Sequence, residues 1–258
     1  MRTTLLLFFA MILLASCNSS SKEEKPLSIL AISKTDGFRH DVIPTSIHAL
    51  KQMSDRNGWH IQATEDSLMI ARNILDTTDV VVFLHTTGNI LGEKQREALK
   101  NFVTNGGGLV TLHSGTITEN DWPWFVDAIG AIFIGHPPKQ EGHLIIENRE
   151  HPATVHFEDT IWVTTDEWYS FDRNPRNNVD VLISIDEASY DLSDNQSDER
   201  TKFRMGDHPL VWCKTVDQGR VFQTALGHKP VLYEDSLFLK HLEGGILWVS
   251  ESVSEIRP

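Results

Sequence analysis

The segment Gly106-Gly107-Gly108-Leu109-Val110-Thr111-Leu112-His113-Ser114-Gly115 reads as a turn, a short buried strand, and a polar residue at the strand's carboxyl end followed by a Gly-containing bend. In open α/β sheets the strand ends border a crevice in which ligands sit. One class of hydrolases places a nucleophilic Ser there, in a G-x-S-x-G turn. The residue here is His113, a poor acyl-transfer nucleophile. Its imidazole could serve as a general base, a metal ligand or a hydroxyl binder, or it could only tie neighbouring loops together. Gly227-His228 ends another strand and enters a loop, which makes His228 the second candidate.

Other polar groups stand at equivalent points. The loop Lys34-Thr35-Asp36-Gly37-Phe38-Arg39-His40 follows the first strand and opens on the same crevice, so Arg39 and His40 are candidate binding residues. Arg39 could equally pair with an acid and close the loop. His85-Thr86-Thr87-Gly88 closes the third strand and could bind sugar hydroxyls or cap the next helix. His136 in Gly135-His136-Pro137-Pro138 has its direction restricted by proline. Asp166-Glu167-Trp168-Tyr169 sets two carboxylates beside two aromatics. Carboxylates pair with sugar hydroxyls, aromatic faces stack on pyranose C–H surfaces, and a half-buried Glu167 could have a raised pKa and act as an acid. Imidazole and carboxylate suit a divalent metal such as zinc. There is no H-x-H or H-x-x-x-H spacing, so such a site would have to be assembled from separate loops, and the metal stays open. His151-Pro152 and Asp207-His208-Pro209 read as rigid turns.

The elements that must position these groups alternate. Leu27 to Ser33, Trp59 to Thr64, Asp79 to Leu84 and Leu109 to Leu112 read as strands. Helices over Val42 to Arg56 and Glu93 to Thr104 lie between them, the first with Pro44 in its opening turn and Asn57-Gly58 as its stop. This β–α alternation predicts a doubly wound, mostly parallel sheet flanked by helices, of the flavodoxin-like kind. The second half is less regular. A short helix runs from Trp122 towards Ile129, and strands read over Gly142 to Glu147, Val179 to Ile185, Pro209 to Val216 and Arg220 to Thr224. Asp235 to Val249 reads as a closing helix with Leu237, Leu239, Leu242 and Ile246 inward. Asp191 to Thr201 is a polar, acidic loop. No internal linker divides Leu27 to Pro258, so one domain is expected.

A formal net charge of −13 argues against nucleic acid, whose phosphates need a basic footprint, and favours a small-molecule ligand; seven Trp and twelve His in an acidic chain fit a polar, uncharged one such as a sugar. Leu5 to Leu14 has the length of a signal-peptide core, and Leu14-Ala15-Ser16-Cys17 matches a lipobox. Residues 1–16 are then a lipoprotein signal peptide, Cys17 the lipidated residue, and 17–26 a polar tether. The expected location is the envelope of a Gram-negative bacterium, held to the membrane through the lipid alone. Cys213, the other cysteine, reads as inert core.

Taken in series, several of these segments resemble the trehalose-utilisation (ThuA-like) family. They are Lys34 to His40, Gly106 to Ser114, Gly135-His136-Pro137, His151 to Thr154, Asp166 to Tyr169, Asp207-His208-Pro209, and Gly219 to Phe222 running into Ala225-Leu226-Gly227-His228. The resemblance implies a class I glutamine-amidotransferase-like fold without glutaminase chemistry, because His113 replaces the Cys that the reaction uses as nucleophile. His228 falls where the late His of that superfamily stands. It also implies a carbohydrate substrate. The resulting expectation is an acid/base or metal-assisted enzyme acting on a glycoside or keto-sugar. His113, His228 and Glu167 would be catalytic, and Arg39, His40, His136, Asp166, Trp168 and Tyr169 would bind substrate. The alternative is a sugar-binding lipoprotein without catalysis. An oligomer is left open.

Overall fold

Strand β3 (Val80–Leu84) is buried along its whole length, and its side chains divide between two layers. Val80, Val82 and Leu84 join one core cluster; Val81 and Phe83 join the other. That division is what a run of apolar residues produces when both faces of a parallel sheet are covered by helices. The computed structural model describes residues 25–71, 73–193 and 203–254, with side chains through 251. Cys17, the signal peptide and most of the tether lie outside the described residues, as does most of the acidic loop after Asp191.

One nine-stranded sheet runs in the order β2-β1-β3-β4-β11-β10-β9-β6-β7. Its first half holds β2 (His60–Thr64), β1 (Ser28–Ile32), β3, β4 (Gly108–Leu112) and β11 (Gly219–Thr224), all parallel. The second half holds β10 (Pro209–Val216), β9 (Asp180–Ile185), β6 (Gln140–Ile146) and β7 (Ile161–Asp166), each antiparallel to its neighbour. Only β10 and β6 oppose the common direction, so the sheet is mixed but mostly parallel. A separate ribbon pairs β5 (Phe133–Gly135) with β8 (Ser170–Phe171).

Helices α1 (Ile43–Asn57) and α4 (Ser236–Ser254) pack on one face, through Leu50, Met53, Leu242 and Ile246. Helices α2 (Glu93–Thr104) and α3 (Pro123–Ile129) cover the other, through Leu99, Val103, Phe125 and Ile129. Gly58, at φ +66, ends α1 in the left-handed conformation that glycine adopts without steric cost. The inner stripe of α4 is Phe238, Leu242, Ile246 and Val249, whereas Leu237 and Leu239 are only half-buried. An apolar run around most of that turn hides the register. The sequence reading also lacked β7, whose alternation exposes Ile161 and Val163 on the outer face.

Candidate functional site

Four loops meet at the carboxyl ends of the parallel strands. His113 follows β4 directly and His85 follows β3 directly, both at φ +53. A non-glycine residue in that region is uncommon, and such strain is kept where surrounding contacts over-determine it. The turn after β4 becomes a 3-10 segment, His113–Ile117, and aims the imidazole under the loop that carries His40. The His40 and His113 rings lie 4.9 Å apart, edge to face. After β11 the chain turns at Gly227, φ +112, where a Cβ would come within 2.9 Å of the Tyr233 hydroxyl. This turn delivers His228.

The carboxylate comes from the far edge of the sheet. Asp166 and Glu167 leave β7, and Asp166 Oδ2 accepts the Gly227 N–H at 2.7 Å, so that edge curls back over the strand ends. Glu167 Oε2 then lies 3.0 Å from His228 Nδ1 and 3.5 Å from both His113 Nε2 and His136 Nε2. One donor atom each from His40, His113, Glu167 and His228 lies within 4.8 Å of all the others. Imidazole nitrogens with a carboxylate oxygen are a donor set suited to zinc and similar divalent ions.

The surrounding contacts orient the cluster. His113 Nδ1–H donates to the Ala225 carbonyl at 2.7 Å, which leaves the Nε2 lone pair facing the other donors. The Tyr169 hydroxyl is 2.7 Å from that Nε2, and its ring lies 4.3 Å from the imidazole. Burial, reinforced by His113 and His228, pushes His40 down to about 3, so its ring is neutral near pH 7. His85 is held well below the usual range for the same first reason. Burial alone would raise Glu167, but the adjacent His113 and His228 imidazoles reverse that and hold its carboxyl well below the usual carboxylate range. Burial, then Glu167 and Asp166, keeps the Tyr169 phenol protonated far above its ordinary pKa. The cluster therefore combines an anionic carboxylate with neutral nitrogen at His40, the state in which both bind a cation.

Above the cluster opens a cavity of about 590 Å³ lined by Phe38, Asp41, Val42, Lys139, Glu167, His228, Lys229, Pro230 and Val231. Phe38 and Val231 are 69% and 59% exposed and form an apolar rim. Lys139 Nζ lies 3.3 Å from His228 Nε2.

The structure thus gathers His40, His113, His136, Glu167 and His228, and assigns the other candidates different work. Arg39 forms a 2.6 Å ion pair with Glu65 beyond β2; both are exposed, and the pair closes the loop. Asp166 is fully buried and holds the Gly227 turn, with no surface to offer a substrate. Trp168 is fully buried, with its ring against Gly142. Tyr169 is covered by Phe133 and His113. Neither ring can stack on a sugar. Adjacent residues beyond a strand end point to opposite sides, so Glu167 enters the crevice while Trp168 enters the core. Thr86 bonds to the Thr118 hydroxyl and Thr87 to the Phe38 carbonyl, which braces loops. His208 bridges Glu187 and the Tyr169 carbonyl, and His151 accepts from the Ala153 N–H, both as structural turns. Sequence reasoning missed Phe38, Lys139 and Tyr233. Phe38 had a signal, a large apolar side chain in a polar strand-end loop. The other two had none, because their place depends on distant elements.

A family model described as ThuA, trehalose utilisation, matches residues 28–249. The chain belongs to the ThuA family. Membership implies a role in trehalose utilisation. Two solved ThuA-like proteins share the fold. One, from Bacteroides uniformis, has a TM-score of 0.75 and 23% identity over 90% of this chain and 94% of its own. The other, from Parabacteroides merdae, has a TM-score of 0.69 and 22% identity over 88% and 90%. A GMP synthase component from Thermoplasma acidophilum superimposes at a TM-score of 0.52 with 11% identity, over 90% of this chain and 98% of that one. No curated protein matches the chain. This ThuA protein has the glutamine-amidotransferase-like α/β fold. At the turn after β4 it carries His113, while Cys213 is buried on β10 with its thiol pushed up by burial to about 12.

Proposed function

We propose that this ThuA protein is a metal-assisted enzyme that acts on a glycoside or keto-sugar and is anchored in the cell envelope through Cys17. The observation that carries the reading is the approach of His40, His113, Glu167 and His228 to within 4.8 Å, beside an open cavity that Glu167 and His228 line. A non-catalytic sugar binder needs hydroxyl partners and stacking faces; it does not need four convergent metal donors. When bound there, a divalent cation supplies Lewis-acid polarisation and lowers the pKa of a coordinated water. The chain's own residues do the rest. Ala225 and Tyr169 fix the ring of His113, Glu167 supplies negative charge, and His136 stands 3.5 Å from Glu167, where it can take or give a proton at the carboxylate's edge. Phe38 and Val231 offer an apolar rim for the C–H face of a sugar ring.

Purified protein loaded with zinc or manganese, then incubated with trehalose, glucosides and their 3-keto derivatives, tests this. Turnover that a chelator abolishes and added metal restores is the expected result. His113→Gln should lower the rate by about 10²–10⁴-fold with sugar binding largely kept. Unchanged sugar affinity with no turnover under any metal would favour the binder.

A further inference from the structure

The two ring nitrogens of His228 face different partners. Nδ1 is 3.0 Å from Glu167 Oε2, and Nε2 is 3.3 Å from Lys139 Nζ. A lysine ammonium can only donate, so Nε2 presents its lone pair to Lys139 and the ring proton sits on Nδ1, donated to Glu167. A metal on His228 also needs a lone pair. On Nε2 it would take the one that Lys139 uses. On Nδ1 it would require the ring proton at Nε2, where it would meet the ammonium donor head-on. Either way, the Lys139–His228 hydrogen bond and a metal on His228 exclude each other, with no proton leaving the lysine.

Lys139 has somewhere to go. It is exposed on the cavity wall beside Glu167, His228 and Lys229. Among the described residues, no carboxylate lies within ion-pair distance of its ammonium. It sits on the turn between β5 and β6, so rotation of its own side chain suffices. We propose that metal binding at His228 releases Lys139 into the cavity, where its ammonium donates to a hydroxyl or carbonyl oxygen of the sugar. Lys139 is then a substrate-contacting residue that is in position only when the centre is loaded. This rests on the metal and sugar reading above.

Zinc affinity, measured by competition with a chelator, tests the exchange without any sugar. Wild type is compared with Lys139→Met and Lys229→Met. Both substitutions remove one cation from the same wall, but only Lys139 bonds to a cluster residue. Lys139→Met should bind zinc about tenfold more tightly, the scale on which partners of ligating groups act, and Lys229→Met should shift it by about threefold or less. Equal shifts in the two variants, or none at Lys139, would overturn the exchange. A wild type that binds no zinc would overturn the metal reading and the exchange with it. Trehalose titrated into the zinc-loaded proteins tests the contact. Weaker binding by Lys139→Met supports it, and equal binding overturns it. No trehalose binding by zinc-loaded wild type would count against the sugar site, while the zinc comparison still decides the exchange.

Discussion

The parallel half of the sheet and its antiparallel half contribute to one centre in different ways. From the parallel half come three histidines, His40, His113 and His228, each on the loop that follows a strand's carboxyl end. Their positions follow from strand register, and two adjacent strands even leave His85 and His113 at the same φ. From the antiparallel half come Glu167, Tyr169, His136 and Lys139, brought in by an edge that curls back and is tied by the Asp166–Gly227 hydrogen bond. Nitrogen donors thus sit on the rigid scaffold, and the anionic donor and its orienting phenol sit on an attachment. The acid and the imidazoles can therefore be varied separately, although one core cluster joins the two halves.

The largest expected effect is at Glu167. Glu167→Gln removes the only anionic donor of the cluster, and activity of the metal-supplemented protein should fall by about 10²–10⁴-fold, with the melting temperature little changed. A steady-state assay beside a thermal melt checks both. The opposite pattern marks the core of the attachment. Trp168→Ala, one residue on, should cost about 3–5 kcal/mol of stability in a denaturant titration, because a large buried side chain leaves a cavity. If Trp168→Ala instead altered sugar binding and spared stability, the assignment of that ring to the core would be wrong.

These two neighbours also show how far the sequence could be read. The β–α alternation through Thr104 and the apolar run at Val80–Leu84 reveal the parallel half because such strands are buried on both faces, and strand-end histidines follow from it. Glu167 was legible as a polar group beside aromatics, but the opposite directions of Glu167, Trp168 and Tyr169 were not, since β7 went unread. Its outward Ile161 and Val163 mimic no simple amphipathic pattern. Arg39 had two readings in the sequence, and only the position of Glu65 beyond β2 decides between them. Asp166 looked like a substrate ligand because nothing local reveals a bond to Gly227, 61 residues away.

Tyr169→Phe sharpens the comparison at intermediate size. The protonated Tyr169 hydroxyl donates to the same His113 Nε2 lone pair that a metal would take, so its loss should tighten zinc binding by about tenfold, read by chelator competition, and weaker binding would contradict that reading.

Acid stability tests a histidine of the scaffold away from the centre. Burial lowers His241 from 6.5 to about 3. Its folded pKa is below its unfolded one, so the unfolded chain binds the extra proton. Its stabilising contribution is complete above pH 6.5 and is lost as pH falls towards 3, at up to about 1.4 kcal/mol per unit. Denaturant unfolding of wild type and His241→Asn at several pH values should show a shallower acid decline in the variant; parallel declines would contradict the assignment. Smallest of all, Arg39→Ala breaks an exposed pair and should change stability by less than about 1 kcal/mol, with activity intact.

The most direct measurement is a crystal structure of the zinc-soaked protein with anomalous data collected at the zinc edge. The account predicts one strong peak per chain, bonded to His40, His113, Glu167 and His228 beneath the Phe38 and Val231 rim. Zinc bound elsewhere with these four side chains unmoved, or no peak at all, would contradict it.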